Sequence, residues 1–287
     1  MPTLSSLTLY PIKSCAGLSL QQAILTTSGL ATDVAGVRIT DREWMVVDAN
    51  GGFMTQRDFP PMALITPTLT AAALELRFPG MPALAIPLAP PDAALASTRR
   101  VHIWDESLRA WEYDAEVAAW FSIALGVACR LVRCHADVTR AVSQKWTNGV
   151  AATTLFSDGY PFLVIGQASL DDLNARLRAA GRDALPMDRF RANVVIDGIE
   201  AYEEDYTAAF QIGASVLKPV KPCARCPIPS IDQATGAFGP DPLDILQGYR
   251  AKPEVEGGLC FGMNAIVTEG AGLAVCVGQD ITAEIAF

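Results

Sequence analysis

Residues 221–236 read Lys-Pro-Cys-Ala-Arg-Cys-Pro-Ile-Pro-Ser-Ile-Asp-Gln-Ala-Thr-Gly. Two thiols at Cys-x-x-Cys spacing, Cys223 and Cys226, can reach one metal ion or form a redox disulfide. A zinc site needs two further ligands. No second pair follows, and Cys260 and Cys276 stand alone. A thioredoxin-like site needs the pair at a strand-to-helix junction, yet Pro222, Pro227 and Pro229 surround it and no helical pattern comes after. Two ordinary loop thiols are the remaining reading. Arg225, beside Cys226, would favour a thiolate and could neutralise an anionic ligand. Thr235-Gly236 marks a turn.

The chain around this segment has 287 residues, 51% of them hydrophobic and 18% charged, which suits a well-buried core. A net charge of -9 repels phosphate backbones and anionic lipid, so neither a nucleic-acid nor a membrane partner is expected. The opening Met1–Leu7 lacks the basic n-region and apolar stretch of a signal peptide. In the most apolar region, 64–96, no run reaches the ~18 residues of a membrane span. A cytoplasmic protein is expected. The seven cysteines are odd in number and widely spread, unlike a disulfide framework, and only two histidines are present, His102 and His135.

Alternation and turn signals predict strands over 3–10, a hairpin over 43–57 around Asn50-Gly51-Gly52, and a second hairpin from 70–78 and 83–88. A short strand at 101–104 follows. Residues 116–125 carry apolar side chains at 117, 120, 121, 124 and 125, the stripe of an amphipathic helix, with Gly126 placed to end it. Beyond it, extended structure is expected at 129–134, 162–165, 192–197, near 210–219, and at 263–268 and 273–286. One helix is expected from Leu170 to about Ala180, capped by Ser169, with Asp171 and Asp172 in its first turn. The five tryptophans read as core or lobe-interface aromatics, His102 as a structural strand residue, and Cys15 as a small buried thiol. The fold class is α+β and β-rich: two β lobes with a few helices.

KPCARCPIPSIDQATG resembles the hallmark segment of the MOSC superfamily, the molybdenum-cofactor sulfurase C-terminal domain. It is most similar to the branch with the mitochondrial amidoxime-reducing components and bacterial relatives that detoxify N-hydroxylated bases. LYPIKSCAG (9–17) is similar to the opening of the β-barrel that precedes MOSC in that branch. DREWMVVD (41–48), MTQRDFPPMALI (54–65), HIWDE (102–106), WFSIALG (120–126), FSDGYPFLVIGQASLDDLN (156–174), FRANVVIDG (190–198) and FGMN (261–264) follow in the expected order.

The resemblance implies an N-terminal β-barrel-like lobe at 1–125 and a MOSC β-barrel domain with peripheral helices at 126–287. It implies a Mo-molybdopterin cofactor with Cys226 as the metal ligand and the residue at the reaction centre, and leaves Cys223 without an assigned role. Lys13, Ser14, Arg42, Asp158, Gly159, Arg191, Ala224, Arg225 and Asn264 match cofactor-binding positions. Asn193 joins them as a side chain able to address pterin heteroatoms. The implied reaction is reduction of an N-hydroxylated small molecule with electrons from a separate flavin or iron–sulfur protein. No iron–sulfur cluster is expected in this chain, which lacks closely spaced cysteines near its end, nor is the relatives' membrane-anchoring N-terminus. A molybdopterin carrier or sulfur-handling module is the alternative. Ala224, where relatives often have a hydroxyl, and Asn264, where an aromatic can occur, depart from the pattern.

Overall fold

Phe162–Gly166, an uninterrupted apolar run, is buried along its whole length and lies inside a large mixed sheet. Such a run needs cover on both faces: Phe162 and Val164 join the largest apolar cluster, and Leu163 and Ile165 pack with Leu170, Leu173, Leu177 and Phe261. A computed structural model describes residues 1–90 and 97–286, so the last part of the apolar region 64–96 and the terminal Phe287 lie outside the described residues. The sheet runs in the order Leu18–Leu20, Thr3–Leu9, Val194–Asp197, Phe162–Gly166, Gly258–Glu269, Ser215–Ala224, Thr207–Ile212, Ile281–Ile285. Phe162–Gly166 and Val194–Asp197 are parallel neighbours, and the chain between them carries the helix Gln167–Ala179. The other pairings along this order are antiparallel.

The first half builds smaller antiparallel sheets. One orders Thr98–Ile103, Glu106–Glu112, Arg130–Cys134 and Trp44–Val47; another is the meander Thr66–Leu69, Ala73–Arg77, Leu84–Pro87. A third joins Gln22–Thr26, Gly29–Val34 and Val37–Thr40 to Ala274–Cys276 from the far end of the chain. The fold is thus β-rich with a barrel-like first lobe. Strand pairing crosses the expected division at 125/126 in both directions: Thr3–Leu9 pairs with Val194–Asp197, and Arg130–Cys134 pairs with Trp44–Val47. The largest apolar cluster accordingly draws on both halves, from Leu4 and Trp44 through Phe121 to Phe162 and Phe210.

Helix Ala115–Leu125 ends as expected at Gly126, which is left-handed, and begins on Asp114, whose carboxylate accepts from the amides of Glu116 and Val117. Several expectations need correction. The later helix starts at Gln167, directly off the strand with Gly166 as its N-cap. Ser169 is therefore interior: its hydroxyl donates to the buried Glu204 at 2.8 Å and accepts from the Tyr202 amide. That leaves no acidic residue in the first turn; Asp172 instead pairs with Arg176 one turn on. Region 210–219 is two strands turning at Gly213, not one. The 43–57 hairpin keeps only a single bridge, Val47 to Phe53, on its return side. The strand Glu106–Glu112 was not expected, and Thr70–Ala72 is a turn rather than strand. No helix among the described residues is long and apolar enough to cross a membrane.

Candidate functional site

Where the two halves interlock, a cavity of about 330 Å³ opens. The turn after Thr3–Leu9 brings Lys13 and Ser14 to its wall, and the turn after Val37–Thr40 brings Arg42. The loop before Phe162–Gly166 brings Asp158 and Gly159, and the segment before Val194–Asp197 brings Arg191 and Asn193. Ala224 ends the strand Ser215–Ala224, Arg225 and Cys226 follow in the loop beyond it, and Asn264 faces in from Gly258–Glu269. Cys226, Asn193 and every residue matched to a cofactor-binding position line this one cavity.

Three of them hold left-handed backbone without being glycine: Ser14 at φ 65°, Arg42 at 50° and Arg191 at 58°. Each costs about 1 kcal/mol or more and persists only where the surroundings fix it. What fixes Arg42 and Arg191 is visible. The Arg42 amide donates to the Tyr10 carbonyl at 2.7 Å, and both guanidinium groups pack on the Tyr10 ring, at 4.5 Å and 4.2 Å.

The cations fall into two groups. Lys13 is buried and donates to Asp158 at 2.5 Å. Burial pushes the ammonium down and Asp158 pulls it back up. At Asp158 the enclosing walls would raise the carboxyl, but Lys13, then Arg42 and Arg57, outweigh them and hold it at about 2. Since 68% of that side chain meets solvent, water in the mouth screens the pair. Arg42 is paired with the fully buried Asp41. By contrast, Arg191, Arg225 and Lys221 have no carboxylate at salt-bridge distance among the described residues. Burial pulls the Arg191 guanidinium down and Arg42 adds repulsion. Arg191 reaches the Cys15 carbonyl through Nη1 at 2.7 Å, while its Nη2 is buried without a partner among the described residues, as is Nε of Arg225. A net-acidic chain has thus gathered uncompensated positive charge at one place, which favours an anion there.

Asn193 lines the cavity, but its amide is fully committed within the protein. Its Nδ2 donates to the Thr8 carbonyl and to Asp41, and its Oδ1 accepts from Arg42 and from the Leu163 amide. Both hydrogens and both lone pairs are used, so Asn193 positions Arg42 and Asp41 and has nothing left for pterin heteroatoms.

The two thiols differ. Cys223 packs against an apolar cluster and accepts a hydrogen bond from Arg225 Nη1 at 3.2 Å. The guanidinium that the sequence placed beside Cys226 therefore leans on Cys223. Cys226 is half-buried on the cavity wall and has no hydrogen-bond partner among the described residues. No group of three or more His, Cys, Asp or Glu among the described residues is arranged to hold a metal ion. Cys15 is fully buried, its thiol pushed up by burial to about 12, in keeping with the small buried thiol expected there.

Sequence reasoning passed over several lining or supporting residues. Tyr10 and Asp41 sit inside quoted motifs but support the cavity from beneath. Lys221 stands among aromatics, 5.6 Å from the Trp146 ring and 5.8 Å from that of Tyr160. It opens the quoted segment 221–236, the one signal available in the sequence, and it lies opposite Asn264 in the sheet register. Trp104, one of the tryptophans read as core or lobe-interface aromatics, lines this cavity between the halves but is 50% exposed, unlike the buried Trp44, Trp111 and Trp120. His102 lies in its strand as expected, with its backbone bonded to Gly51 and Phe53, but on the exposed side.

Fold and site together define a protein of two interlocked β-rich units around a cationic, thiol-bearing cavity. Residues 1–128 match the family described as MOSC N-terminal beta barrel domain, and residues 151–282 match the MOSC domain; the chain belongs to the MOSC family. It is similar to the mitochondrial amidoxime reducing component 2 of Rattus norvegicus, 33% identical over 257 residues that cover 86% of this chain and 72% of the rat protein. The mitochondrial amidoxime-reducing component 1 of Mus musculus is 35% identical over 253 residues, 86% of this chain and 71% of the mouse protein. A molybdenum cofactor sulfurase of Oryza sativa subsp. japonica is 30% identical over 274 residues, 91% of this chain but only 32% of the rice protein.

Proposed function

We propose that this protein is a molybdenum-cofactor-dependent oxidoreductase that reduces N-hydroxylated small molecules, with Cys226 as the protein's ligand to the metal. The observation that carries the reading is the meeting of Cys226 with Lys13, Arg42 and Arg191, all from separate segments of the chain, in one cavity. The residues present suit a molybdopterin. Its phosphate is a dianion, and Arg191 and Arg225 carry buried, unpartnered nitrogens. A Cβ at Gly159 would meet open space, so backbone there can be approached closely. Cys226 offers the soft thiolate that molybdenum takes.

In this proposal Lys13, Ser14, Arg42, Asp158, Gly159, Arg191, Ala224, Arg225 and Asn264 hold the cofactor, and Lys221 adds charge. The cofactor, when bound, supplies two-electron redox chemistry. The N–O bond of a hydroxylamine-type substrate breaks, two electrons and two protons enter, and the amine and one water leave. The chain fixes the orientation and the electrostatics: Asp41 and Asn193 lock Arg42, and Asp158 locks Lys13, before any ligand arrives. Electrons come from a separate flavin or iron–sulfur protein. A cytoplasmic, detoxifying role is part of the same proposal.

The similarity to a molybdenum cofactor sulfurase favours a second reading, a module that carries the cofactor or relays sulfur through Cys226 without reducing a substrate. The test is expression in a host competent for molybdopterin synthesis, elemental analysis, and an assay of hydroxylamine substrates with a chemical electron donor. Near-stoichiometric molybdenum with turnover supports the reductase; metal without turnover supports the carrier. Cys226→Ser is expected to lose turnover at least a hundredfold together with most of the metal. Full retention of both in that variant would remove Cys226 as ligand.

A further inference from the structure

Trp104 occupies the first position of the two-residue turn between Thr98–Ile103 and Glu106–Glu112, at φ 50°. Turns of this size favour glycine or asparagine there, and a bulky side chain with positive φ is an outlier. The strain is not repaid by burial, since half of the indole remains exposed. The ring is nevertheless held. Phe53 meets it edge-on at 5.0 Å, and the Arg57 guanidinium lies 5.1 Å from its centre. Phe53 in turn carries the Lys13 ammonium 5.4 Å from its own ring. A braced, half-exposed indole therefore lines the same cavity as Cys226.

We propose that Trp104 is a specificity-determining residue, a stacking platform that selects substrates whose N-hydroxylated group is attached to a planar aromatic or heteroaromatic ring. Every such ring presents a π-face, and stacking on an aromatic side chain tolerates differences in ring substituents. The turn strain fits this role: the backbone conformation aims the side chain outward rather than into the core. This inference rests on the reductase reading and narrows it to one class of substrate.

Benzamidoxime and acetamidoxime separate the possibilities, because they share the reacting group and differ in the ring. Their dissociation constants are measured by calorimetry without an electron donor, on wild-type protein, Trp104→Ala and Trp104→Phe, each with its molybdenum content determined. Trp104→Ala is expected to weaken benzamidoxime roughly fivefold or more, the factor set by about 1 kcal/mol of stacking. Acetamidoxime should change less than twofold, Trp104→Phe should restore most of the loss, and metal content should stay level. Equal weakening of both oximes, no change in either, or no binding of benzamidoxime by the wild type would overturn the platform. A drop in molybdenum in Trp104→Ala would also overturn it, by making Trp104 a support for the cofactor. Because binding needs no turnover, a wild type that stacks the ring but reduces nothing would sink the reductase reading alone.

Discussion

Arg42 and Arg191 both pack on Tyr10, close enough that Arg42 repels the Arg191 charge. Asp41 and Asn193 then settle which guanidinium is neutralised within the protein and which is left for a ligand. Asp158 does for Lys13 what Asp41 does for Arg42, but from a solvated position, and this has a pH signature. Its carboxyl stands at about 2 against an ordinary 3.8, so its contribution to stability is complete above 3.8 and is lost as pH falls through 2. Urea unfolding of wild type and Asp158→Asn should show the same stability gap at pH 7 and pH 5, and a smaller one at pH 3. A gap that already shrinks between pH 7 and 5 would rule out the pairing as drawn. At this scale the cations were legible from their motif positions. The left-handed backbone of Ser14, Arg42 and Arg191 was not, because non-glycine residues give no sign of it. The exposure of Trp104 was hidden for the same reason, since the turn that exposes it has no glycine to announce it.

Among the elements, Gly258–Glu269 bears most on the cavity, since it pairs with both Phe162–Gly166 and Ser215–Ala224. Gly262 in the FGMN segment sits at φ 78°, and a Cβ there would meet Ile165 Cγ1 at 2.6 Å and the Val164 carbonyl at 2.8 Å. Gly262→Ala combines backbone strain with a collision against a central strand. It should cost about 3 kcal/mol of unfolding free energy, read by chemical denaturation, and a loss below about 1 kcal/mol would mean that the strands part more easily than this packing implies. Strands with clear apolar patterns, such as Thr3–Leu9 and Phe162–Gly166, were readable beforehand. Glu106–Glu112 was not, because only Ala110 and Trp111 in it are buried and charges occupy both ends. The start of Gln167–Ala179 was misplaced because Ser169 looks like a cap by type, while its hydroxyl serves a buried carboxylate that lies 35 positions further along the chain.

In the whole molecule, each half of the sequence lends a strand to the other. Thr3–Leu9 lies against Val194–Asp197, and Ala274–Cys276 lies against Gln22–Thr26. Hence the division at 125/126 that the sequence suggested is proposed as a boundary of sequence modules, not of folding units. Calorimetric unfolding of the intact chain is expected to give one transition with equal calorimetric and van't Hoff enthalpies; two resolved transitions would show that the halves melt independently. The long-range partners of terminal strands could not be read from a single sequence, since alternation reveals which face is apolar but not which strand lies alongside. The exchange of strands also bears on protein engineering. A hybrid that joins the first module of one homologue to the second module of another inherits mismatched seams at these pairs and where Arg130–Cys134 lies against Trp44–Val47. Grafts in this family therefore need the Thr3–Leu9, Arg130–Cys134 and Ala274–Cys276 strands to travel with their hosts rather than with their neighbours along the chain.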